Sequence, residues 1–448
     1  MTAILGKPAT LNTPILHRLA NGLTIIAESQ PVEAVNLNVW LQVGSALESD
    51  QINGMAHFLE HMVFKGTRNL DSGEFERAIE SRGAVTNAAT SQEYTHYYIT
   101  TAPQDFAHLA PLQLEVVLEA LIPDEAFERE RQVILEEIRR SQDNPRRRTF
   151  YRTMETCFQV LPYRRPVLGP TEVIENLTPQ QMRDFHRTWY RPEWMTVAVV
   201  GNLPVDDLMA IVRDSLDNLG SKGNSGLISH PIANLQPEAP FNQIIRQEYE
   251  DENLQQARLI LFWKVPGLRD LEKTYPLDVL AAILGQGKVS RLFQSLRQEK
   301  GLVSQITASN MSQTVQGVFS VSAQLASENI EQVETEILAQ IEQIQQEAVT
   351  VSELERVKTQ VANRFIFSNE RPSDRANLYG YYHTQIGDLQ PAFCYPQHIE
   401  ALTLEDIQNA SQEYLNPNAY GVVVVRPISK QGMGKWGNGE ISTKTLTP

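Results

Sequence analysis

The feature that most constrains the fold is an order of predicted elements that occurs twice, about 220 residues apart. In each half, short apolar strands lead into helices, a strand pair, further helices and a final buried strand. The final strands are similar in sequence, MTVAVVGNL in the first half and AYGVVVVRP in the second. This repeat predicts an α+β protein of two homologous domains, each a mainly antiparallel sheet packed with helices.

A change in composition marks the boundary between the two copies. The stretch GSKGNSGLISHPIANLQPEAP is rich in glycine, serine, asparagine and proline, and it indicates a linker over residues 221–240. We therefore expect a first domain at 1–220, a second at 241–430 and a mobile tail at 431–448. In the first domain, VNLNVWLQVGSAL has apolar residues at alternate positions, which predicts a strand with one buried face.

Composition and charge exclude several classes of partner. The chain has a formal charge of −15, whereas phosphate binding needs a basic face, so nucleic acid is excluded as a partner. At long range this charge favours neutral or basic ligands. No apolar run approaches the roughly 20 residues of a membrane helix, and the N-terminus lacks the pattern of a targeting segment. We expect a cytoplasmic protein without a membrane partner, unless a targeting segment has already been removed.

The segment NGMAHFLEHMVFKGT carries two histidines one helical turn apart. On a helix, His57, Glu60 and His61 fall within an arc of about 100°. Two imidazoles at this spacing can bind one zinc ion, and the carboxylate beside them can accept a proton from water. An amphipathic helix with solvated histidines would explain the helix but not this combination of residues.

Zinc needs a third protein ligand, and the helical segment DEAFERERQVILEEIRRSQDNP offers candidates. Glu130 and Glu137 are seven residues apart and share a helix face, whereas Glu136 points about 120° away from Glu130. A ligand and a supporting carboxylate on one face would suit a metal site.

These residues resemble the pitrilysin/insulinase family of metallopeptidases, whose inverted zinc motif is H-x-x-E-H. HFLEHMVFKGT carries the strongest similarity, which is greatest to the shorter-subunit branch of mitochondrial processing peptidase and bacterial peptidases. The family's third ligand lies about 76 residues after the second histidine, which is Glu137 here, and its accompanying acid seven residues earlier is Glu130. The resemblance implies that His57, His61 and Glu137 hold one Zn2+ per chain. It also implies that Glu60 is the general base and that Glu130 supports the site.

The resemblance further implies residues that contact the substrate. In TNAATSQEYTHYY, Asn87 and Ala88 match a pair on the family's active-site edge strand, which binds the substrate backbone. In SNERPSDRANLYGYYHTQ, Arg375 and Tyr382 match an arginine and a tyrosine that donate to the transition state. The alternatives are a hairpin with a packed small residue and an ordinary amphipathic helix surface.

In this family two halves enclose a chamber, and a chain of this length is one half. The resemblance therefore implies a clamshell homodimer in which Arg375 and Tyr382 act in trans. We expect a zinc-dependent endopeptidase of the bacterial cytosol that hydrolyses oligopeptides or unfolded segments. The alternatives are a non-catalytic structural subunit of the same fold and the catalytic half of a heterodimeric processing peptidase. The complete ligand set argues against the first, and the short LGQGKVSRL, where that peptidase's partner has a long glycine-rich loop, argues against presequence processing.

Overall fold

Two β-sheets organise the part of the chain that the computed structural model describes, which is residues 13–219 and 230–428. The expected tail at 431–448 and the first nine residues of the expected linker, 221–229, lie outside the described residues.

The first sheet has six strands and contains both parallel and antiparallel pairs. Its strands are β1 (Ile15–Arg18), β2 (Thr24–Ser29), β3 (Val35–Leu41), β4 (Val85–Thr90), β5 (Thr95–Thr101) and β6 (Met195–Gly201). Across the sheet their order is β1-β2-β6-β3-β5-β4. Only β2 and β6 run parallel among these described strands. Strand β4 therefore lies at an edge of the sheet.

The second sheet reproduces this topology with five strands. They are β7 (Ile245–Asp251), β8 (Ala257–Pro266), β9 (Val303–Met311), β10 (Gln316–Leu325) and β11 (Gly421–Pro427). Their order is β7-β11-β8-β10-β9, with β7 parallel to β11 and the other pairs antiparallel. Strands β2, β3, β4, β5 and β6 of the first sheet correspond in turn to β7, β8, β9, β10 and β11 of the second. Corresponding strands have the same order in their sheet and the same relative directions. The predicted α+β architecture of two matched halves is therefore confirmed.

Helices cover both sheets. Those of the first half are α1 (Met55–Met62), α2 (Glu74–Ser81), α3 (Pro103–Leu118), α4 (Asp124–Asp143), α5 (Pro145–Cys157), α6 (Thr171–Asn176), α7 (Pro179–Trp189) and α8 (Val205–Asn218). Those of the second half are α9 (Leu271–Gly285), α10 (Ile330–Gln346), α11 (Val351–Phe367), α12 (Pro372–Ile386), α13 (Gln390–Ala401) and α14 (Leu404–Tyr414). Each half has its own large apolar core between its helices and one face of its sheet. None of the described helices is both long enough and apolar enough to span a membrane.

The other face of the first sheet is covered by a helix from the second half. Helix α12 packs across β3 and β6, where Ala376 and Tyr379 contact Ala198 and Val200. Gly380 permits this approach, since a Cβ atom there would lie 2.1 Å from the indole nitrogen of Trp40.

Strand β3 is consequently buried along its whole length, on both faces. The prediction of a single buried face is wrong because α12 replaces solvent. The polar residues on that second face are paired: Asn38 Nδ2 donates to Asn377 Oδ1 at 2.7 Å, and Asn36 Nδ2 donates to Thr100 Oγ1 at 2.9 Å.

The second sheet receives a helix from the first half in the same way. Helix α5 packs on β8 and β11, where Met154 and Cys157 join an apolar cluster with Phe262 and Val423. The two halves thus exchange one helix each, α5 for α12.

Equivalent ion pairs secure the two exchanged helices. Arg148 is the fourth residue of α5, and its Nε donates to Asp251 Oδ2 on β7 at 2.9 Å. Arg375 is the fourth residue of α12, and its Nη2 lies 3.2 Å from Glu28 Oε1 on β2. Because α5 corresponds to α12 and β7 to β2, the two pairs hold matching places in the two halves.

The part of the expected linker that the structure describes is packed against the second half. Ile232 is buried, and its carbonyl accepts from Arg269 Nη2 at 2.5 Å. Glu238 pairs with Lys264 at 2.8 Å and also accepts from the backbone of Leu161 at 2.7 Å. Within the described part of the expected linker, Glu238 therefore contacts residues of both halves.

Candidate active site

A buried carboxylate fixes the start of α1, the helix that carries the H-x-x-E-H motif. Gly54 precedes the helix at φ 98°, a conformation that favours glycine. Glu48 Oε2 accepts from Gly54 N and its Oε1 accepts from Ala56 N, each at 2.7 Å. Burial, opposed by these hydrogen bonds, raises the pKa of Glu48 to about 7. The first turn of α1 is thus anchored at its backbone.

The two faces of α1 have different environments. Phe58 and Leu59 are fully buried in the core of the first half. The opposite face presents His57, Glu60 and His61, each of which is partly exposed. The predicted facial arrangement of these three residues is therefore present.

Helix α4 brings Glu137 against the two histidines. Glu137 Oε2 lies 3.4 Å from His57 Nε2 and 3.8 Å from His61 Nε2. One ligand atom from each of the three residues lies within 4.8 Å of the other two. Two imidazole nitrogens and one carboxylate oxygen converging on one point form the donor set of catalytic zinc sites. These residues therefore fit a zinc ion.

The structure places Glu136 outside this cluster. Its carboxylate pairs with Arg139 and Arg140, each at 3.3 Å, on the exposed side of α4. The facial argument from the sequence, which separated Glu137 from Glu136, agrees with this arrangement.

Glu130 lies on α4 two helical turns before Glu137, on the side of His61 away from Glu137. Its Oε1 is 2.9 Å from His61 Nδ1, and its Oε2 is 2.7 Å from Lys65 Nζ. Burial opposes ionisation of Glu130, but the hydrogen bonds from His61 and Lys65 hold its pKa below the usual value. A carboxylate bound to Nδ1 fixes the tautomer that leaves Nε2 available to a metal.

The protonation state of His57 is also the one that a metal ligand needs. Burial, together with the charges of His61 and Arg147, lowers the pKa of His57 to about 3. The imidazole is therefore neutral at physiological pH, as metal binding requires.

Glu60 faces a cavity of about 870 Å3, whose lining also includes His57 and Glu137. Thr90 Oγ1, at the end of β4, donates to Glu60 Oε2. Burial raises the pKa of Glu60, and the hydrogen bond from Thr90 opposes this rise. A carboxylate with a raised pKa beside a metal site is suited to receive a proton.

The edge strand β4 carries Asn87 and Ala88. Asn87 is exposed, Ala88 is half-buried, and Asn87 Oδ1 accepts from Ala88 N at 2.9 Å. Thr90, at the end of the same strand, contacts Glu60, so this end of the strand lies beside the candidate base. The predicted ligands and carboxylates of α1 and α4 are therefore brought together, and from β4 it is Ala89 and Thr90 that line their cavity, next to Asn87 and Ala88 in sequence.

Arg375 and Tyr382 are not part of this cluster. The Arg375 side chain is 8% exposed, is paired with Glu28 and donates to Tyr379 Oη. This guanidinium is occupied by contacts within its own chain, and its role as a donor in trans stays a prediction. Tyr382 is half-buried and lines a separate cavity of about 460 Å3 beside Trp40.

Sequence reasoning missed three groups that shape the site: Glu48, Lys65 and Thr90. Lys65 follows His61 by four residues, a spacing that places both on one helix face, so its position was accessible. The contacts of Glu48 and Thr90 depend on tertiary packing and have no signal in the spacing.

A two-histidine, one-glutamate centre on a fold of two matched α+β halves has the ligand set that zinc peptidases use. Residues 23–171 match the family described as Insulinase (Peptidase family M16), and residues 176–361 match the Peptidase M16 inactive domain. An uncharacterized zinc protease of Mycobacterium tuberculosis is 30% identical over 423 residues, covering 94% of this chain and 95% of that protein. The chain belongs to peptidase family M16, and the resemblance to the pitrilysin/insulinase family is confirmed.

Solved structures share the fold over nearly the whole chain. A protease from Helicobacter pylori has a TM-score of 0.86 at 28% identity, covering 92% of this chain and 99% of that one. The periplasmic protease PqqL of Escherichia coli, at 20% identity and a TM-score of 0.78, matches 98% of this chain but 52% of its own. The chain therefore spans about half the length of that protein. The expected cytoplasmic location stays a prediction.

Proposed function

We propose that this protein is a zinc-dependent endopeptidase that hydrolyses oligopeptides or unfolded segments. The observation that carries the proposal is the convergence of His57, His61 and Glu137 beside Glu60 at one cavity. The second half of the chain has no comparable group of ligands among its described residues, which agrees with the name of the domain that it matches.

The chain's own residues divide the work of peptide hydrolysis. His57, His61 and Glu137 would hold zinc, which when bound acts as a Lewis acid that polarises a carbonyl and acidifies water. Glu60 accepts the proton from the attacking water and returns it to the departing amine. Thr90 holds one oxygen of Glu60, which orients the other towards the cavity. Glu130 holds His61 in the tautomer that binds metal.

The edge of β4 supports binding of an extended substrate. A peptide can add to a sheet edge through backbone hydrogen bonds, which read little of its side-chain sequence. Asn87 and Ala88 lie on this edge, two and three residues before Thr90. A folded protein does not offer a free extended strand, so the preferred substrates are peptides and unfolded segments.

A clamshell homodimer remains part of the proposal. The match to 98% of this chain and 52% of PqqL supports a second copy in the position of the remaining part of PqqL, which would close a chamber over the cavity. Hydrolysis by the residues named above does not require Arg375, which is paired with Glu28 in its own chain.

The test combines metal analysis with hydrolysis of quenched fluorescent peptides. We expect one zinc per chain, loss of hydrolysis with a chelator and recovery with zinc. Glu60→Gln should keep zinc but lose hydrolysis by a factor on the order of 1,000, since a general base and an oriented water are both removed. Glu80→Gln, an exposed carboxylate on α2, is the matched control. Purified protein without stoichiometric zinc and without metal-restored hydrolysis would instead support a structural subunit.

A further inference from the structure

Three consecutive arginines, Arg146–Arg148, occupy the first turn of α5, close to the metal centre. Positive charge is unfavourable there, because the helix dipole favours negative charge at an N-terminus. The backbone N–H groups of Arg146 and Arg147 are already bound by Asn144 Oδ1, at 3.0 and 3.4 Å. Helix stability therefore does not account for this run of charges.

Two of the three arginines have no charge partner within the described part of the chain. Arg148 is held by Asp251, as described above. Arg146 and Arg147 are exposed, and neither has a carboxylate within salt-bridge distance among the described residues. Their guanidinium groups are free to bind a ligand.

These free guanidinium groups line the same cavity as the metal centre. The cavity of about 870 Å3 has His57, Glu60 and Glu137 in its lining, and also Arg146 and Arg147. A peptide long enough to fill this cavity from the candidate zinc ligands would therefore reach the arginines.

A second cavity continues from the first along α5. It measures about 320 Å3, shares Arg146 and Phe150 with the first cavity, and reaches polar side chains of β9 and β10. Arg258 on β8 lies in its lining, and Arg258 Nε has no hydrogen-bond partner in the described structure. Arg146 thus stands between the two cavities, with another incompletely satisfied arginine beside it.

The local charge is opposite to the charge of the whole chain. A divalent ion would balance Glu60 and Glu137, so the first cavity keeps the positive charge of its arginines. Burial and repulsion from Arg146 and Arg148 lower the pKa of Arg258, although the charge of Asp251 opposes this shift. An anion bound among these side chains would relieve the repulsion.

We propose that Arg146, Arg147 and Arg258 form an anion subsite that selects peptides with aspartate or glutamate near the scissile bond. The inference rests on the proposed peptidase function and names a substrate class for it. Arginine forms paired hydrogen bonds with a carboxylate, which makes it a specific partner for acidic side chains.

The test measures binding separately from hydrolysis. Zinc-loaded Glu60→Gln protein is titrated against fluorescein-labelled nonapeptides of Gly, Ala and Leu in which one position in turn is Asp, Asn or Lys. At one or two adjacent positions, Asp should bind about tenfold more tightly than Asn, and Lys more weakly than Asn. The preference for Asp should decrease as ionic strength rises.

Variants assign the preference to particular side chains. Arg146→Gln/Arg147→Gln should bind the Asp and Asn peptides equally and leave the affinity for the Asn peptides unchanged. Arg139→Gln, an exposed arginine on α4 that does not line the cavity, should keep the preference.

Several outcomes would overturn the subsite. They are equal binding of the Asp, Asn and Lys peptides, a preference that survives in the double variant, and an equal loss of affinity for all peptides. If the double variant folds poorly, the order of affinities for the Asp, Asn and Lys peptides, measured in protein with intact arginines, still tests the subsite. Failure of the peptidase proposal would show separately, as absent zinc and absent hydrolysis by the protein with intact Glu60.

Discussion

Arg375 Nη2 lies 3.2 Å from Glu28 Oε1, and this pair joins helix α12 to a strand of the opposite half. Both residues are almost completely buried, at 6% and 2% exposure. Arg148, on helix α5 of the first half, makes the corresponding contact with Asp251 on a strand of the second half. The repeated pair indicates that Arg375 positions the exchanged helix.

Removal of one member of this pair should destabilise the protein. Arg375→Met leaves the Glu28 charge buried and uncompensated, so we expect a loss of about 3–5 kcal/mol in the free energy of unfolding. Glu28→Leu/Arg375→Met should regain most of this loss, and Arg371→Met, at an exposed position, should have little effect. Urea unfolding measures all three. Unchanged stability together with a large fall in kcat would return Arg375 to the catalytic role predicted from sequence.

The contact between Glu130 and His61 should determine metal affinity. Glu130→Gln weakens the acceptor that fixes the His61 tautomer, so we expect zinc affinity to fall about 10- to 100-fold. Competition with a chromogenic chelator measures this change. Glu125→Gln, an exposed position on the same helix, is the control. Equal zinc affinity in both variants would contradict the supporting role of Glu130.

Thr90 should matter through the orientation of Glu60. Thr90→Val removes the hydroxyl that binds Glu60 Oε2, so we expect kcat to fall about tenfold with little change in KM. Thr90→Ser keeps the hydroxyl and should restore most of the activity. Thr86→Val, on the same face of β4, controls for the loss of a hydroxyl from this strand. An effect of similar size in Thr86→Val, or no rescue by serine, would speak against the positioning role.

Glu48 should make the stability of the zinc-free protein depend on pH. Its pKa is about 7 in the folded protein and 4.5 in the absence of burial, so the folded state holds the proton more tightly. The stability that this proton contributes is complete below about pH 4.5 and is lost as pH rises through about 7.

Relative to Glu48→Gln, the unsubstituted protein should therefore lose on the order of 3 kcal/mol between pH 4.5 and pH 8. Chemical unfolding of both proteins across this range, with a chelator present, measures the difference. Parallel pH profiles for the two proteins would contradict this and show that Glu48 has the same pKa in the folded and unfolded states.

The metal centre could be predicted from sequence because its geometry is mostly local. His57, Glu60 and His61 lie within one and a half helical turns, and the facial argument separated Glu137 from Glu136. The resemblance to the family implied the edge position of β4, which the strand order shows.

Contacts between distant parts of the chain could not be predicted from the sequence. The alternating residues of β3 indicated a solvent-facing side, but Asn38 is paired with Asn377, more than 300 residues away. Arg375 and Tyr382 were matched to the family's donor pair through a spacing of seven, which any two turns of a helix provide. Neither periodicity nor spacing reports which helix covers which sheet.

The exchange of α5 for α12 also bears on how such a chain could have arisen. In an ancestor of half this length, the helix that covers the outer face of a sheet would have come from a second identical molecule. Duplication and fusion of that gene would place both partners in one polypeptide and keep the intertwined arrangement. The present chain is then the covalent form of a domain-swapped dimer. Cleavage of its connecting segment should accordingly leave two fragments that remain associated.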